Sequence, residues 1–446
     1  MTFDTDRQTL ADLNIFPQER GVQSVFDYYN RTQTTGGKDL LLSFMGSPLN
    51  DLNEINSRIC TIQFLHDNNL QCELERKDLD AVEYYLKLDQ AILKDNLIDS
   101  LYTYLSDRIN KSNEYYLISR GLQCLYKHIR NLIDFFENDD LPELPDFLAE
   151  FKNEVDILKY HPDFKSFTNR DRQKLNFRQI SRFDYLIRKS EKGIIVKILE
   201  FTYILDSYIS LAGIAKEKEL GFPTFIEASN PKIKMEGLFH PLIENPVKND
   251  IHFSDDENLC FVTGANMAGK STFLKSIGLC VYLSHIGFPV PARTMETPLF
   301  NGLYSTINIS DDINKGYSHY YSEVKRVKDI TLWIKERKRV FVIFDELFRG
   351  TNVKDAFDAT RMITEGFTRI KNSVFFISTH IVEVGKELEN SDKICFKCFE
   401  SKLENGKPIY NYKLMDGMSS ERLGLTILKN ERILEIIDEI AENEKK

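Results

Sequence analysis

The 446-residue sequence predicts two fold classes in one chain, an all-α first half followed by an α/β second half. In the first half, apolar residues recur every three, four or seven positions, which is typical of helices with one buried face. In the second half, short apolar runs end at loops rich in small or charged residues, as buried parallel strands do. Proline and asparagine in FPTFIEASNPK (222–232) indicate a boundary, so we expect domains at 1–232 and 233–446.

Two long apolar-periodic segments dominate the helical half. The first predicts one long helix and is carried by Leu79, Val82, Leu86, Leu93, Leu97, Leu101 and Leu105. The second, GIIVKILEFTYILDSYISLAGIAKEK at 193–218, predicts another. The hydrophobic pattern alone does not decide whether these helices form a bundle or a lever.

The α/β half begins with an apolar strand, NLCFV at 258–262, and a loop of small residues. Gly264, Gly269, Lys270 and Ser271 in this stretch match G-x-x-x-x-G-K-[ST]. In such a loop backbone N–H groups surround a polyphosphate, the lysine reaches the β- and γ-phosphates and the hydroxyl binds Mg²⁺. STFLKSIGLCVYLSHIG follows with helical spacing, which would direct a helix N-terminus at the phosphates.

Two further apolar runs end at polar side chains. Val340 to Phe344 predict a buried strand that delivers Asp345 and Glu346 to its carboxyl end, where open α/β sheets bind ligands. Asp345 would hold Mg²⁺ through its shell, and Glu346 would orient or deprotonate the attacking water. SVFFISTHIVEV (373–384) predicts another strand, ending at a histidine that could sense the γ-phosphate, His380.

Taken in order, four motifs resemble the ATPase domain of the MutS family of DNA mismatch-repair proteins, within the ABC-type ATPases. The motifs are TGANMAGKST (263–272), SDDINKGYSHYYSEV (310–324), FDELFRGTN (344–352) and STH (378–380). The resemblance continues in FHPLIENPVKND (239–250) and YKLMDGMSSERLGLTILK (412–429). YYNRTQTTGGKDLLLSFMGSPLNDLNEINSR (28–58) resembles the start of the MutS core domain.

This resemblance implies a helical core/lever domain at 1–232 and an ABC-type P-loop ATPase domain at 233–446, with a mixed, mostly parallel sheet. ATP and Mg²⁺ would be the ligands, with Ser271 and Asp345 on the metal. The implied nucleotide-binding residues are Gly264, Asn266, Met267, Gly269, Lys270, Ser271, Thr272 and Ser318, and the implied catalytic residues are Glu346, Lys270 and His380. Gly316 and Ser318 would form a signature segment that completes the ATP site of a partner subunit, which implies a homodimer.

The sequence departs from the family at several positions. Ala268 and Phe348 stand where the family usually has glycine, and His319 stands where threonine is frequent. NPVKND (245–250) contains no aromatic residue, although MutS proteins often stack a phenylalanine on the adenine there. How the base is held therefore stays open at this stage.

A basic segment is the candidate DNA contact. The chain carries a net charge of −10, but 165–197 carries +7, which leaves −17 elsewhere. Basic residues interleaved with aromatics can contact phosphates and stack on unpaired bases. The candidate DNA-binding residues are Arg170, Arg172, Lys174, Arg178 and Arg182, and the aromatics are Phe167, Phe177, Phe183 and Tyr185. The alternative is a solvated helix face whose aromatics lie in the core.

The remaining features indicate the redox state of the cysteines and the cellular location of the protein. Seven scattered cysteines fit reduced thiols, and CFKC (395–398) lies in a strand-like run with no second metal pair. The N-terminus has no signal-type apolar region and no 18-residue apolar run occurs, so we expect a cytoplasmic protein.

Three functions fit this sequence. The first is a dimeric, ATP-driven DNA-binding protein of repair or recombination; because the sequence begins after the position of the MutS mismatch-reading domain, we expect branched or distorted DNA as its target. The second is orthodox mismatch recognition, with or without a partner subunit. The third is a MutS-derived ATPase switch that acts on a protein partner without contacting DNA.

Overall fold

The computed structural model describes residues 3–19, 21–93, 113–137, 142–165, 175–227, 232–254, 256–307, 319–404, 407–419 and 433–443. The chain divides into two compact units. The sheet unit comprises Met1–Tyr28, Pro48–Ile55 and Glu219–Lys446, and the helical unit comprises Tyr29–Ser47 and Asn56–Lys218.

Helices account for most of the helical unit and flank the strands of the sheet unit. They are α1 (Arg7–Asp12), α2 (Val25–Tyr29), α3 (Thr35–Gly46), α4 (Leu52–Asp67), α5 (Arg76–Leu86), α6 (Asn113–Phe136), α7 (Asp146–Tyr160), α8 (Phe177–Tyr185), α9 (Lys192–Lys218), α10 (Lys270–Ile286), α11 (His319–Arg337), α12 (Val353–Thr368), α13 (Val382–Leu388) and α14 (Ile433–Asn443). A π-helical turn, Leu186–Ser190, follows α8 directly, and only Glu191 separates it from α9.

The strands form two sheets. They are β1 (Pro223–Phe225), β2 (Lys234–Leu238), β3 (Asn249–His252), β4 (Leu259–Gly264), β5 (Thr294–Thr297), β6 (Gly302–Thr306), β7 (Val340–Asp345), β8 (Val374–Ser378), β9 (Ile394–Glu404) and β10 (Lys407–Asp416). The larger sheet has the order β10-β9-β4-β8-β7-β6, with β10 antiparallel and all other neighbours parallel. The smaller sheet has the order β1-β5-β2-β3 and mixed strand directions.

The mixed α/β architecture expected from the sequence is confirmed. Every residue of β4, β7 and β8 is buried, because these central strands are covered on both faces, and this explains their unbroken apolar sequences. Since β4, β7 and β8 are parallel neighbours, their carboxyl ends lie at one edge of the sheet.

A buried carboxylate organises the helical unit. Asp206 of α9 accepts hydrogen bonds from the Thr34 hydroxyl (2.6 Å) and from the backbone N–H groups of Gln33 (2.9 Å) and Thr34 (2.8 Å). Burial raises the pKa of Asp206, and the hydrogen bonds from Gln33 and Thr34 oppose that shift. Asp206 thereby fixes the start of α3 against α9, the helix that the run at 193–218 predicted.

The long helix predicted from Leu79 to Leu105 is wrong, because α5 ends at Leu86. Beyond that point the Arg188 side chain donates to the carbonyls of Leu88, Gln90 and Ala91, and the buried carboxylate of Asp184 accepts from the N–H of Leu93 (2.8 Å). These side chains bond backbone groups that a helix would have paired internally. Leu97, Leu101 and Leu105 lie outside the described residues.

The sheet unit includes the N-terminal segment, which differs from the boundary predicted at 232. Asp4 pairs with Gly302 as an isolated parallel bridge and accepts from the Tyr304 hydroxyl (3.0 Å). Asp12, at the end of α1, accepts from the Ser305 hydroxyl (2.6 Å) and the Ile307 N–H (2.9 Å). Acidic side chains therefore attach this segment to β6, an arrangement that local periodicity does not reveal.

None of the helices formed by the described residues combines the length and the apolar composition needed to cross a bilayer.

Candidate functional site

The small-residue loop at 265–269 connects β4 to α10 and turns sharply. Gly264 and Gly269 have φ angles of 145° and 108°, and a Cβ atom on Gly264 would lie 2.7 Å from the carbonyl oxygen of Phe399. Met267 also has a positive φ, of 71°, and its side chain is 80% exposed. Ala268, which replaces a family glycine, is buried without needing a positive φ. The loop thus places the N-terminus of α10 at the carboxyl edge of the sheet, as the motif predicts.

Lys270, the first residue of α10, extends back over this loop. Its Nζ donates to the carbonyls of Gly264 (2.8 Å) and Ala265 (3.1 Å), and only 4% of the side chain is exposed. Burial lowers the pKa of Lys270, while the neighbouring carboxylates of Glu346 and Asp345 oppose this shift. A buried ammonium at the mouth of a loop of backbone amides is the arrangement that binds anionic phosphates.

The two carboxylates predicted from β7 lie beside this lysine. Asp345 is buried, pairs in register with Ser378 of β8 and accepts a short hydrogen bond from the Ser378 hydroxyl. The backbone N–H of Glu346 donates to the Ser378 carbonyl (3.0 Å), and its Oε1 lies 3.9 Å from the Nζ of Lys270. The strand pairing of β7 with β8 therefore holds both acids beside the 265–269 loop.

Residues 346–350, hereafter the Glu346 loop, have an unusual backbone. Glu346 and Phe348 have φ angles of 55° and 63°, in the left-handed region that favours glycine. The Oε2 of Glu346 lies 3.2 Å from the Nε of Arg349, so the carboxylate is flanked by two cations. Phe348 is buried although the family usually has glycine at this position.

A cavity of about 670 Å³ opens beside the phosphate loop, within the size range of small-molecule sites. The 238–249 segment and Tyr412 together line one wall of it. Tyr412 lies over Gly269, since a Cβ there would be 3.4 Å from the tyrosine ring. Asn249 fixes this wall by donating to the Tyr412 carbonyl (3.0 Å) and accepting from the Leu414 N–H (2.8 Å).

The aromatic wall was missed in the sequence because we sought an aromatic residue within 245–250. Tyr412 reaches the site from β10, where the pairing with β9 shifts register between Tyr410 and Leu414. Phe239 and His240 also line the cavity. The sequence feature that could have indicated Tyr412 is the segment at 412–429, which resembles the MutS family and begins at this tyrosine.

Other predicted site residues are placed as follows. Asn266 and Ser271 are exposed and line the cavity together with Met267 and Thr272. His380 is exposed two residues beyond Ser378, at the same edge of the sheet as Asp345. Gly316 and Ser318 lie outside the described residues.

The basic segment is divided between structural and exposed side chains. Arg188 is buried in an ion pair with Asp184 (2.7 Å), and Lys197 pairs with Glu154 (2.7 Å), so both have partners within the helical unit. Arg178 is exposed, as is Arg182, which lies 3.6 Å from Asp163.

The aromatics of this segment are divided in the same way. Phe183 is buried and Tyr185 is 36% exposed. The remaining candidates, Arg170, Arg172, Lys174 and Phe167, lie outside the described residues.

The cysteines do not form a metal centre. All seven are free thiols. Cys395 and Cys398 are three positions apart in β9 and so point to opposite faces of the strand. No group of histidine, cysteine and acidic side chains suited to a metal ion occurs within the described part of the chain.

The chain is similar to known proteins along nearly its whole length. The family model described as MutS domain V matches residues 260–446. A protein named DNA mismatch repair protein MutS from Thermotoga maritima is 22% identical over 506 residues, covering 95% of this chain and 63% of that protein. One of the same name from Fervidobacterium nodosum is 24% identical, covering 99% of this chain and 65% of that protein. One from Petrotoga mobilis is 30% identical over 229 residues, covering 50% of this chain and 28% of its own length. The chain thus spans less than two thirds of these curated relatives.

Proposed function

Since the chain belongs to the MutS family, we propose that it is an ATPase in which the binding and hydrolysis of ATP are coupled to the binding of DNA. One observation carries the enzymatic part of this proposal. Lys270 at the start of α10 and Asp345 and Glu346 at the end of β7 meet at one edge of the sheet, beside a cavity large enough for a nucleotide. Together they supply the groups that phosphoryl transfer to water requires.

The phosphate loop binds the triphosphate in this proposal. The loop amides and the N-terminus of α10 face the phosphate oxygens, and Lys270 exchanges its contacts with Gly264 and Ala265 for the β- and γ-phosphates. Ser271 and Asp345 supply the hard oxygen ligands that suit Mg²⁺, so the residues present fit that ion. When bound, Mg²⁺ neutralises charge on the β- and γ-phosphates.

The base occupies the aromatic end of the cavity. Tyr412 offers a half-exposed ring on the side of Gly269, and Phe239 and His240 also line the cavity. Stacking on an aromatic ring is tolerant of base identity, so the phosphates supply most of the affinity.

Glu346 then orients or deprotonates the attacking water. Its carboxylate lies 3.9 Å from the Nζ of Lys270 and 3.2 Å from the Nε of Arg349, at the loop that would hold the phosphates. His380, at the same edge, is proposed to contact the γ-phosphate. Water activation by a positioned base contributes roughly 10²- to 10⁴-fold in rate.

The partner and the DNA contact are proposed from the family resemblance. A homodimer would bring Ser318 of one protomer to the γ-phosphate held by the other, so that ATP binding joins two sheet units. Arg170, Arg172, Lys174, Arg178 and Arg182 are the proposed DNA contacts. Mismatched, branched and distorted duplexes are the candidate ligands, in repair or recombination, with repair proteins as further partners.

Two alternatives remain open. Orthodox mismatch recognition, alone or with a partner subunit, would give a preference for a single mismatch. A switch that acts on a protein partner is favoured by the net charge of −17 outside 165–197, because a strongly acidic surface repels DNA.

The test is an ATPase and DNA-binding assay on the intact chain with homoduplex, single-mismatch and four-way-junction DNA across a salt series. Five phosphate contacts predict a slope of about −4.5 in log K against log salt. Tight, salt-sensitive binding to the junction with an altered ATPase rate supports the main proposal, and a mismatch preference supports the first alternative. Absence of DNA binding by an active ATPase would favour the protein switch. Normal ATP affinity in Lys270→Ala would refute the phosphate site.

A further inference from the structure

The Glu346 loop packs against the first turn of α11 through three separate contacts. The two elements come from different parts of the chain: the loop follows β7, and α11 begins at His319, directly after the segment that contains Gly316 and Ser318. Two of the contacts are made by side chains and one by the backbone.

The first contact is aromatic. Phe348 is 3% exposed, and its ring centroid lies 5.8 Å from that of Tyr320 at an angle of 59°. The backbone of Phe348 has a φ of 63°, which costs strain for any residue but glycine. The strained conformation is retained because it buries the ring in the core beside Leu347 and Tyr320.

The second contact is a buried carboxylate. Glu323 of α11 is 7% exposed and its Oε1 accepts from the N–H of Arg349 (3.3 Å). Burial raises the pKa of Glu323, and the backbone of Arg349 and Gly350 opposes that shift. An amide of the Glu346 loop is therefore held by a side chain of α11, and a buried N–H without such an acceptor is costly.

The third contact is a close approach of backbones. A Cβ atom on Gly350 would lie 2.5 Å from the backbone nitrogen of Tyr320 and 2.7 Å from the Cβ of His319. Only glycine allows the loop to lie this close to the helix.

We propose that Phe348 and Glu323 are positioning residues for Glu346, because they fix the Glu346 loop to the start of α11. This rests on the proposed function only in that Glu346 is taken as the water-activating carboxylate. A displacement of the first turn of α11 is then transmitted to Glu346, which links the end of the signature segment to the hydrolytic step in the same protomer.

The test compares Phe348→Leu with Phe367→Leu. Phe367 is 4% exposed in the same core and stacks on Phe344 and Phe375, so the two variants lose the same ring from a similar environment. Leucine at 348 keeps the strain of a positive φ. We expect Phe348→Leu to lower kcat by roughly 10- to 100-fold, the effect of displacing a catalytic group by about 1 Å, with ATP affinity within about twofold of wild type. Phe367→Leu should lose similar thermal stability and keep kcat.

Amide exchange of the Glu346 loop is the second readout, and it requires no ATPase activity. Phe348→Leu and Glu323→Ala should both accelerate amide exchange in 346–350 by at least about tenfold. This corresponds to a loss of about 1.4 kcal/mol in the free energy that keeps the Glu346 loop packed on α11. Phe367→Leu should leave this exchange unchanged. The proposal is overturned if both 348 and 367 variants lose kcat equally, or if exchange in 346–350 is unchanged. Absence of ATP hydrolysis by the wild-type chain would instead overturn the proposed function, and the exchange result would still decide the positioning role.

Discussion

Replacing Asp12 tests whether the N-terminal segment is an integral part of the sheet unit. Asp12 is 2% exposed, and its Oδ2 accepts from both the Ser305 hydroxyl and the N–H of Ile307. Asp12→Ala leaves the Ile307 N–H without an acceptor, which costs about 1–3 kcal/mol, and removes a second hydrogen bond worth about 0.5–1.5 kcal/mol. We therefore expect the end of β6 to lose about 2–4 kcal/mol of local stability.

Hydrogen exchange in a peptide spanning 302–307 measures this loss directly. Since 1.4 kcal/mol corresponds to a factor of ten, exchange should accelerate by roughly 30- to 1,000-fold in Asp12→Ala. Asp12→Asn is the matched control, because an amide oxygen can occupy the Oδ2 position and accept the same two bonds. It should change exchange by less than about fivefold. Equal, small effects in both variants would show that Asp12 does not hold β6 and that the predicted boundary at 232 was the better division.

Three further predictions concern the proposed activity. Glu346→Gln should lower ATP turnover by roughly 10²- to 10⁴-fold while equilibrium ATP binding persists, and turnover within a few-fold of wild type would exclude Glu346 as the base. Tyr412→Ala should weaken ATP binding by about 5- to 100-fold without changing the affinity for inorganic triphosphate, whereas Tyr412→Phe should bind ATP normally; calorimetry with both ligands separates loss of stacking from a general defect. Replacing Arg178 and Arg182 together by glutamine should make the salt slope of junction binding less steep by about 2, and an unchanged slope would remove both from the DNA contacts.

The sequence was sufficient to predict an element where a chemical motif and a hydrophobic periodicity lie close together in the chain. The strand before the 265–269 loop and the helix after it were predicted correctly, because an apolar run, glycine spacing and helical periodicity all fall within about 30 residues. Asp345 and Glu346 were located at the right edge since a buried strand can deliver its next residues only there.

Long-range side-chain contacts were not predictable in the same way. The leucine repeat at 79–105 suggested one helix, and the break after Leu86 depends on Arg188, a hundred residues away. Arg188 also contributes to the net charge of +7 in 165–197, although it is paired with Asp184. The aromatic wall of the cavity depends on a register shift in β10 that no local pattern indicates.

The attachment of the N-terminal segment also constrains how the protein is made. Asp4 and Tyr304 are separated by 300 residues, so the segment emerges from the ribosome long before β6 exists. At about 5–20 residues per second, its binding site is completed roughly 15–60 s later. The helical unit, encoded between them, has that interval in which to fold first. Completion of the sheet unit is therefore a late event in synthesis, and until then Asp4 and Asp12 lack the strand that they hold.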